Sequence, residues 1–214
     1  MNSWKLWMLL LQGAGLTVAV SLLSIAIGLA IGAVISAGML SSKQVFAVPS
    51  RLFVSFFRGV PLLVQLLLIY NLLPAIGINV SSVGAAITGL SLCTAAYQAE
   101  NLRGGLMSVP KGLIEAAEMA GLNATQQFRR IRLPIAFRLT LPAIINEAIM
   151  ILKASSLVSV VGVVELTRMT QDLSASTYRP LELFAMAGVI YFIINWGLSF
   201  IGSYTENAIR WGRP

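Results

Sequence analysis

Histidine is absent from this 214-residue chain, and cysteine occurs once, as Cys93. His-ligated haem, copper or zinc, histidine general bases and intrachain disulfides are therefore excluded. Cys93 lies in an apolar run and reads as a small buried hydrophobe. Charge is scarce too, at 11% of residues, where soluble domains carry about a quarter. A soluble single domain does not fit that figure. Neither does a disordered chain, because 57% of residues are hydrophobic and the mean hydropathy is +0.83. No G-x-x-x-x-G-K-[ST] phosphate loop occurs. The first apolar stretch is too long for a cleaved leader and lacks a clear cleavage site.

What remains is long uncharged runs. No charge falls between Lys5 and Lys43, or between Arg58 and Glu100. The second run is interrupted by Leu73-Pro74-Ala75-Ile76-Gly77-Ile78-Asn79, a cluster of breakers. Leu139 to Val164 is apolar except for Glu147 and Lys153, and Leu183 to Thr205 is uncharged. The reading is all-α, a single polytopic membrane domain over 1–214. Its five spans are placed at about 9–40, 51–73, 81–106, 139–164 and 183–205.

Five spans put the termini on opposite sides, and Lys and Arg choose between the two orientations. With the N-terminus outside, the inner loops hold Lys43, Arg51, Arg58, Arg103, Lys111, Arg129, Arg130, Arg132, Arg138, Arg210 and Arg213. The outer side holds Lys5, Arg168 and Arg179. The expectation is an N-terminus outside and a cytoplasmic C-terminus. The net charge of +7 then needs no nucleic acid partner.

The loop 108–138 between spans three and four is long, and long loops are usually functional. Val109-Pro110 starts a helix. Glu115-Ala116-Ala117-Glu118-Met119-Ala120 continues it, with acids near its positive end. Gly121 ends it, Asn123 caps a second helix, and Leu133-Pro134 stops that one. Two short helices meeting at a glycine form a knob. Leu113, Ala116, Ala117, Ala120, Leu122 and Phe128 give it an apolar side suited to docking.

The spacing Glu115-Ala116-Ala117, then Gly121, Ile131, Leu133 and Pro134 resembles the EAA motif of permease subunits of bacterial ABC importers. Phe57-Arg58-Gly59-Val60-Pro61-Leu62-Leu63-Val64-Gln65 is similar to a segment of the polar amino acid subfamily, which usually has Thr where this chain has Val60. Ala95-Ala96-Tyr97-Gln98-Ala99-Glu100, Arg103-Gly104-Gly105 and Leu152-Lys153-Ala154-Ser155-Ser156-Leu157 look like the same histidine, arginine, glutamine and opine type permeases. Many members carry an acid after the lysine, and here Ala154 replaces it. The resemblance implies a coupling loop at Glu115, Ala116, Ala117, Gly121, Ile131, Leu133 and Pro134 that seats in a separate ATPase. It implies a second permease subunit, identical or related, two ATPases that bind ATP and Mg, and an external solute-binding protein. The substrate it implies is a polar amino acid. The chain itself would carry no cofactor and no catalytic residue, and would sit in the bacterial cytoplasmic (inner) membrane.

Ionisable groups inside a bilayer are expensive and ask for a function. Glu147 and Lys153 in span four, with Asn146, Ser155 and Ser156, are candidate substrate contacts, and Gln65 in span two is another. A carboxylate and an ammonium suit a zwitterion, Glu147 meeting its cation and Lys153 or a hydroxyl its carboxylate. An acid at 147 leans the expectation towards basic amino acids or opines. Glu100 and Arg103 read as a local i,i+3 pair. Arg168, Asp172, Arg179 and Glu182 are an outer charged patch. Pro61 and Pro142 are candidate kinks. The alternative is a self-contained secondary transporter using Glu147 and Lys153.

Overall fold

The uncharged runs form long helices wrapped around one that is itself rather polar. A computed structural model describes residues 3–209, so Arg210 and Arg213 of the charge count lie outside the described residues. Helix α1 spans Ser3–Met39, α2 Gln44–Gly59, α3 Leu62–Ala75 and α4 Ser82–Met107. Two short helices follow, α5 at Lys111–Met119 and α6 at Ala124–Gln127. A π-helical turn at Phe128–Arg132 leads into α7, Leu133–Ala154, and a 3-10 segment at Ser155–Val161 follows. Helices α8, Leu166–Thr177, and α9, Pro180–Ile209, complete the order. The described residues contain no strand.

α4 is the centre of the fold. Its buried residues include Ala85, Ala86, Gly89, Ser91, Thr94, Ala95, Ala96, Gln98 and Ala99. Such small residues let neighbouring backbones come close, the usual basis of helix packing in membranes. α1 meets them with Gly28 and Gly32. A Cβ at Gly28 would lie 2.5 Å from the Thr94 Cβ, and one at Gly32 would lie 2.9 Å from the Ala95 carbonyl oxygen. Three apolar clusters follow the length of α1. Leu6, Leu10 and Ala14 pack with Leu166, Leu183 and Ile190. Val20 packs with Leu66, Leu90, Cys93, Ile151 and Val158, so Cys93 is the buried hydrophobe expected. Met39 packs with Val54 and Ala99.

The outward faces are apolar. Leu11, Leu22, Leu23 and Val34 of α1 are exposed, as are Leu67, Leu68 and Leu72 of α3 and Phe192, Ile193, Trp196 and Phe200 of α9. Apolar area of that extent on a single chain marks contact with lipid or another protein. Three stretches are long and apolar enough to cross a membrane: Trp4–Met39, Ala124–Val161 and Pro180–Asn207. The α2–α3 pair makes a fourth if its two bent halves count as one span. α4 is less apolar: it buries Ser91, Thr94 and Gln98 against neighbouring protein.

Two features differ from the sequence reading. The segment 51–73 is not one straight helix: α2 and α3 meet at 108°. Pro61 has no N–H and forces Val60 into an extended conformation (φ −97°, ψ 132°), which ends α2 and starts α3. Leu133-Pro134 does not stop the second loop helix. Ala124 to Ala154 is continuously helical, and the half of the loop after Asn123 belongs to α7. The π turn is the reason. Leu133 N–H bonds to the Phe128 carbonyl five residues back, and this wider turn makes room for the proline ring that an α-helical turn would crowd. Pro142 lies inside α7 without ending it.

Candidate functional site: a coupling knob and an intramembrane polar path

The knob is built by local chemistry. Pro110 precedes α5, and the chain leaves that helix through a glycine turn. Gly121 N–H bonds to the Glu118 carbonyl and Leu122 N–H to the Ala117 carbonyl, with Gly121 at φ +77°. This is a Schellman end, which requires a left-handed residue at that position. Asn123 then caps α6. Its side chain accepts from Gln126 N–H at 3.0 Å, and the Gln126 side chain accepts from Asn123 N–H at 3.0 Å. Both caps stand where the sequence put them. Ala117 is buried, whereas Glu115, Ala116 and Gly121 are exposed. Ile131 is half-buried, and Leu133 and Pro134 are exposed. Leu113, Phe128 and Met119 add exposed apolar surface, Met119 being 91% exposed.

The intramembrane candidates separate. Gln65 is buried at the α2–α3 break. Its amide donates to the Phe57 carbonyl at 2.8 Å and to the Val60 carbonyl at 2.7 Å. These carbonyls belong to the end of α2, where helical partners are missing. The Gln65 amide nitrogen is thus committed to holding the bend. Ser155 is buried and bonds to the Leu152 carbonyl at 2.7 Å, and Ser156 bonds to the Lys153 carbonyl at 2.9 Å. Lys153 and Ser156 line a groove of about 530 Å³ between α7 and α9, with Tyr191, Asn195, Trp196 and Ser199. Asn146 is exposed.

Glu147 points elsewhere. It is six residues before Lys153, which puts it about 120° round the helix. Among the described residues it makes no ion pair. The groove that Lys153 lines does not include Glu147.

A second cavity, of about 800 Å³, opens beside Arg58 and is lined by Arg51, Tyr97, Glu100 and Arg103 among others. Glu100 accepts from Arg103 Nε at 2.9 Å, and Arg103 Nη2 stands 2.7 Å from the same carboxylate, as the i,i+3 spacing implied. Arg58 reaches Glu100 only at 3.7 Å and lies 5.4 Å from the centre of the Tyr97 ring. At the other end of the molecule the charges of the outer patch pair locally, Arg168 with Asp172 at 3.2 Å and Arg179 with Glu182 at 3.6 Å.

One residue that sequence reasoning passed over organises that end. Glu165 is completely buried. It caps α8, accepting from Thr167 N–H at 2.9 Å and Arg168 N–H at 2.8 Å. It also accepts from the Tyr191 hydroxyl at 2.9 Å and the Thr17 hydroxyl at 3.4 Å. Thr17 in turn accepts from Leu166 N–H at 3.1 Å. The carboxylate thus ties α1, α8 and α9 together. An acid directly before a helix after Gly162-Val163-Val164 is a capping signal that the sequence did offer.

Buried small-residue packing, exposed apolar belts, a bent helix pair and an exposed glycine-ended knob together describe an all-helical membrane protein. The chain belongs to the family described as binding-protein-dependent transport system inner membrane component, whose model matches residues 24–211. It is 37% identical to the octopine transport system permease protein OccM of Rhizobium meliloti, over 97% of this chain and 87% of that one. It is 35% identical to the arginine transport system permease protein ArtQ of Bacillus subtilis, over 94% and 92% of the two chains. A crystal structure of an amino acid ABC transporter with histidines superposes with a TM-score of 0.91 at 33% identity, covering 97% of this chain and 100% of that one. An inward-facing methionine ABC transporter, at 22% identity and a TM-score of 0.82, shares the fold. This chain is a permease subunit, not an enzyme, and ATP hydrolysis belongs to a partner. The self-contained secondary transporter is not supported, since these relatives and structural neighbours are parts of ABC systems.

Proposed function

We propose that this subunit carries a cationic amino acid or a related opine across the bacterial inner membrane, with Glu147 as the partner of the substrate's positive charge. The observation that carries this reading is the Glu147 carboxylate: it lies well inside the long α7 helix, and no cation of the described residues pairs with it. Such a group is costly in a membrane unless a ligand or a partner compensates it. The octopine and arginine systems among the relatives lend the cation weight. Lys153 and Ser156 belong to the α7–α9 groove and are not assigned to the same ligand.

The topology that goes with this reading has five crossings: α1, the bent α2–α3 pair, α4, α7 and α9. The excess of Lys and Arg between α1 and α2 and around α5–α6 supports an orientation with those loops in the cytoplasm and the N-terminus outside. The knob around Glu115, Ala116 and Gly121 then faces a cytosolic ATPase. A second permease subunit, two ATPases and an external binding protein complete the assembly, in which ATP-driven movement of the knob exposes the path to either side in turn.

The test is uptake of labelled arginine and labelled glutamine by cells expressing the whole transporter, with wild-type or Glu147→Gln permease. The expected result is at least a tenfold loss of arginine uptake at low concentration, equal to about 1.4 kcal/mol of lost interaction, with glutamine uptake changed much less. Equal loss of both, or of neither, removes Glu147 as the cation partner. Co-purification of a stoichiometric ATPase with the tagged chain tests the assembly.

A further inference from the structure

The Met107 end of α4 borders a basic cavity that the proposed transport path does not use. It holds about 800 Å³ and lies among the end of α1, α2 and α4. Three guanidinium groups line it, those of Arg51, Arg58 and Arg103, against one carboxylate, Glu100. Arg103 takes up that carboxylate at 2.7 Å, and Arg58 reaches it only at 3.7 Å. Arg51 makes no ion pair among the described residues. The cavity therefore keeps a surplus of positive charge on two exposed side chains, Arg51 and Arg58. Beside them the lining is apolar, with Met39, Leu40, Val54 and Met107.

The helix that carries both arginines has a second relevant property. α2 stands at 108° to α3, close to perpendicular. With α3 crossing the bilayer, α2 runs near the membrane plane. Its Val45, Phe46, Leu52 and Phe56 are exposed. Exposed apolar side chains together with arginines, on a helix lying across the membrane, are the marks of an interfacial element.

We propose that this cavity binds an anionic phospholipid, with Arg51 and Arg58 holding its phosphate. A guanidinium fork matches two phosphate oxygens, and two forks match the surplus charge. The apolar lining receives the glycerol and the first carbons of the chains, for which a free phosphate has no use. A zwitterionic amino acid would bring an ammonium group into a cavity that is already cationic. Basic pockets between membrane helices on the cytoplasmic side are where anionic headgroups bind, and the orientation proposed above puts this end of α4 on that side. A lipid seated there joins α2 to α4 beside the bend at Val60-Pro61.

The experiment uses the assembled transporter, with its ATPase and second permease subunit, stripped of lipid in detergent. Binding of labelled phosphatidylglycerol is measured for wild type, for R51Q/R58Q and for R168Q/R179Q, which removes two arginines far from the cavity. Competitors are phosphatidylethanolamine, inorganic phosphate and glycerol 3-phosphate. Wild type is expected to prefer phosphatidylglycerol to phosphatidylethanolamine. Each cavity arginine is expected to contribute about fivefold in affinity, so that R51Q/R58Q loses about 25-fold while R168Q/R179Q changes less than twofold. Arg51→Gln alone, at an exposed side chain without an ion pair, should lose about fivefold and decides the matter if the double variant assembles poorly. Equal affinity of wild type for the two lipids overturns the proposal, as does a loss in the cavity variants no greater than in R168Q/R179Q. Displacement of the lipid by inorganic phosphate or glycerol 3-phosphate at equal concentration overturns the lipid as ligand and leaves a free phosphate in its place. Binding in micelles depends neither on orientation nor on Glu147, so failure of the transport reading and failure of this one are separate results.

Discussion

Replacing Gly121 isolates the geometry of the knob from its chemistry. The residue sits at φ +77°, and no heavy atom lies within 4 Å of where a Cβ would be. A side chain there meets no clash, so its cost is backbone strain alone, about 1–2 kcal/mol for an L-residue in the left-handed region. That is a factor of roughly 5–30 in the population of the turn. The strained form relieves itself by undoing the two Schellman bonds, Gly121 N–H to Glu118 and Leu122 N–H to Ala117, which frays the end of α5 and turns Glu115 and Ala116 away from their present orientation. Gly112, in the first turn of the same helix, is the control. It also has open space around it, but its φ is ordinary, so Gly112→Ala is expected to be neutral or to favour the helix by up to about 1 kcal/mol. The assay is substrate uptake together with substrate-stimulated ATP hydrolysis in the reconstituted transporter. Uptake is expected to fall in the order Gly121, Asn, Ala, Val, because Asn tolerates the left-handed region best, while the permease still inserts and G112A stays near wild type. Full coupling in Gly121→Val, or damage by G112A equal to that by G121A, refutes the reasoning.

Two further predictions concern the scaffold. Gln65→Leu keeps the volume but leaves the Phe57 and Val60 carbonyls without the amide, so the detergent-purified subunit should lose about 1–3 kcal/mol of stability, read as a lower unfolding temperature. A neutral result would show that water or another group satisfies the bend. Glu165→Ala removes the cap of α8, about 0.5–2 kcal/mol, and also an acceptor for Tyr191 and Thr17; Tyr191→Phe should cost less, near 1 kcal/mol. Thermal unfolding of both variants checks that order, and its reversal would refute the central place of Glu165 in the network.

The parts legible from the sequence are those decided by neighbours along the chain. Gly121 as a helix end, Asn123 as a cap, and Glu100 with Arg103 as a pair are all local, and all stand in the structure. The helices at both ends of the chain were legible from uncharged runs. What escaped depends on partners far away or on geometry beyond a one-residue rule. Pro134 reads as a stop in an α-helix, and the π turn before it changes that. Pro61 read as a kink, but a bend of 108° needs the buried Gln65 to close it. For Glu147 and Lys153 the sequence gives depth more readily than direction round the helix, and Lys153 lines the α7–α9 groove without Glu147. Glu165 was passed over because its partners Thr17 and Tyr191 are 148 and 26 residues away.

The π turn has a mechanical consequence. Because the backbone from Ala124 to Ala154 is helical without interruption, the α6 half of the knob and the segment bearing Glu147 are two points on one rod. Ala124 and Glu147 are about 35 Å apart along it, at 1.5 Å per residue. A tilt of about 5° with the Glu147 end as pivot displaces the Ala124 end by about 3 Å. That is the length of a hydrogen bond, enough to make or break a contact. A proline that ended the helix would have put a flexible joint in this lever.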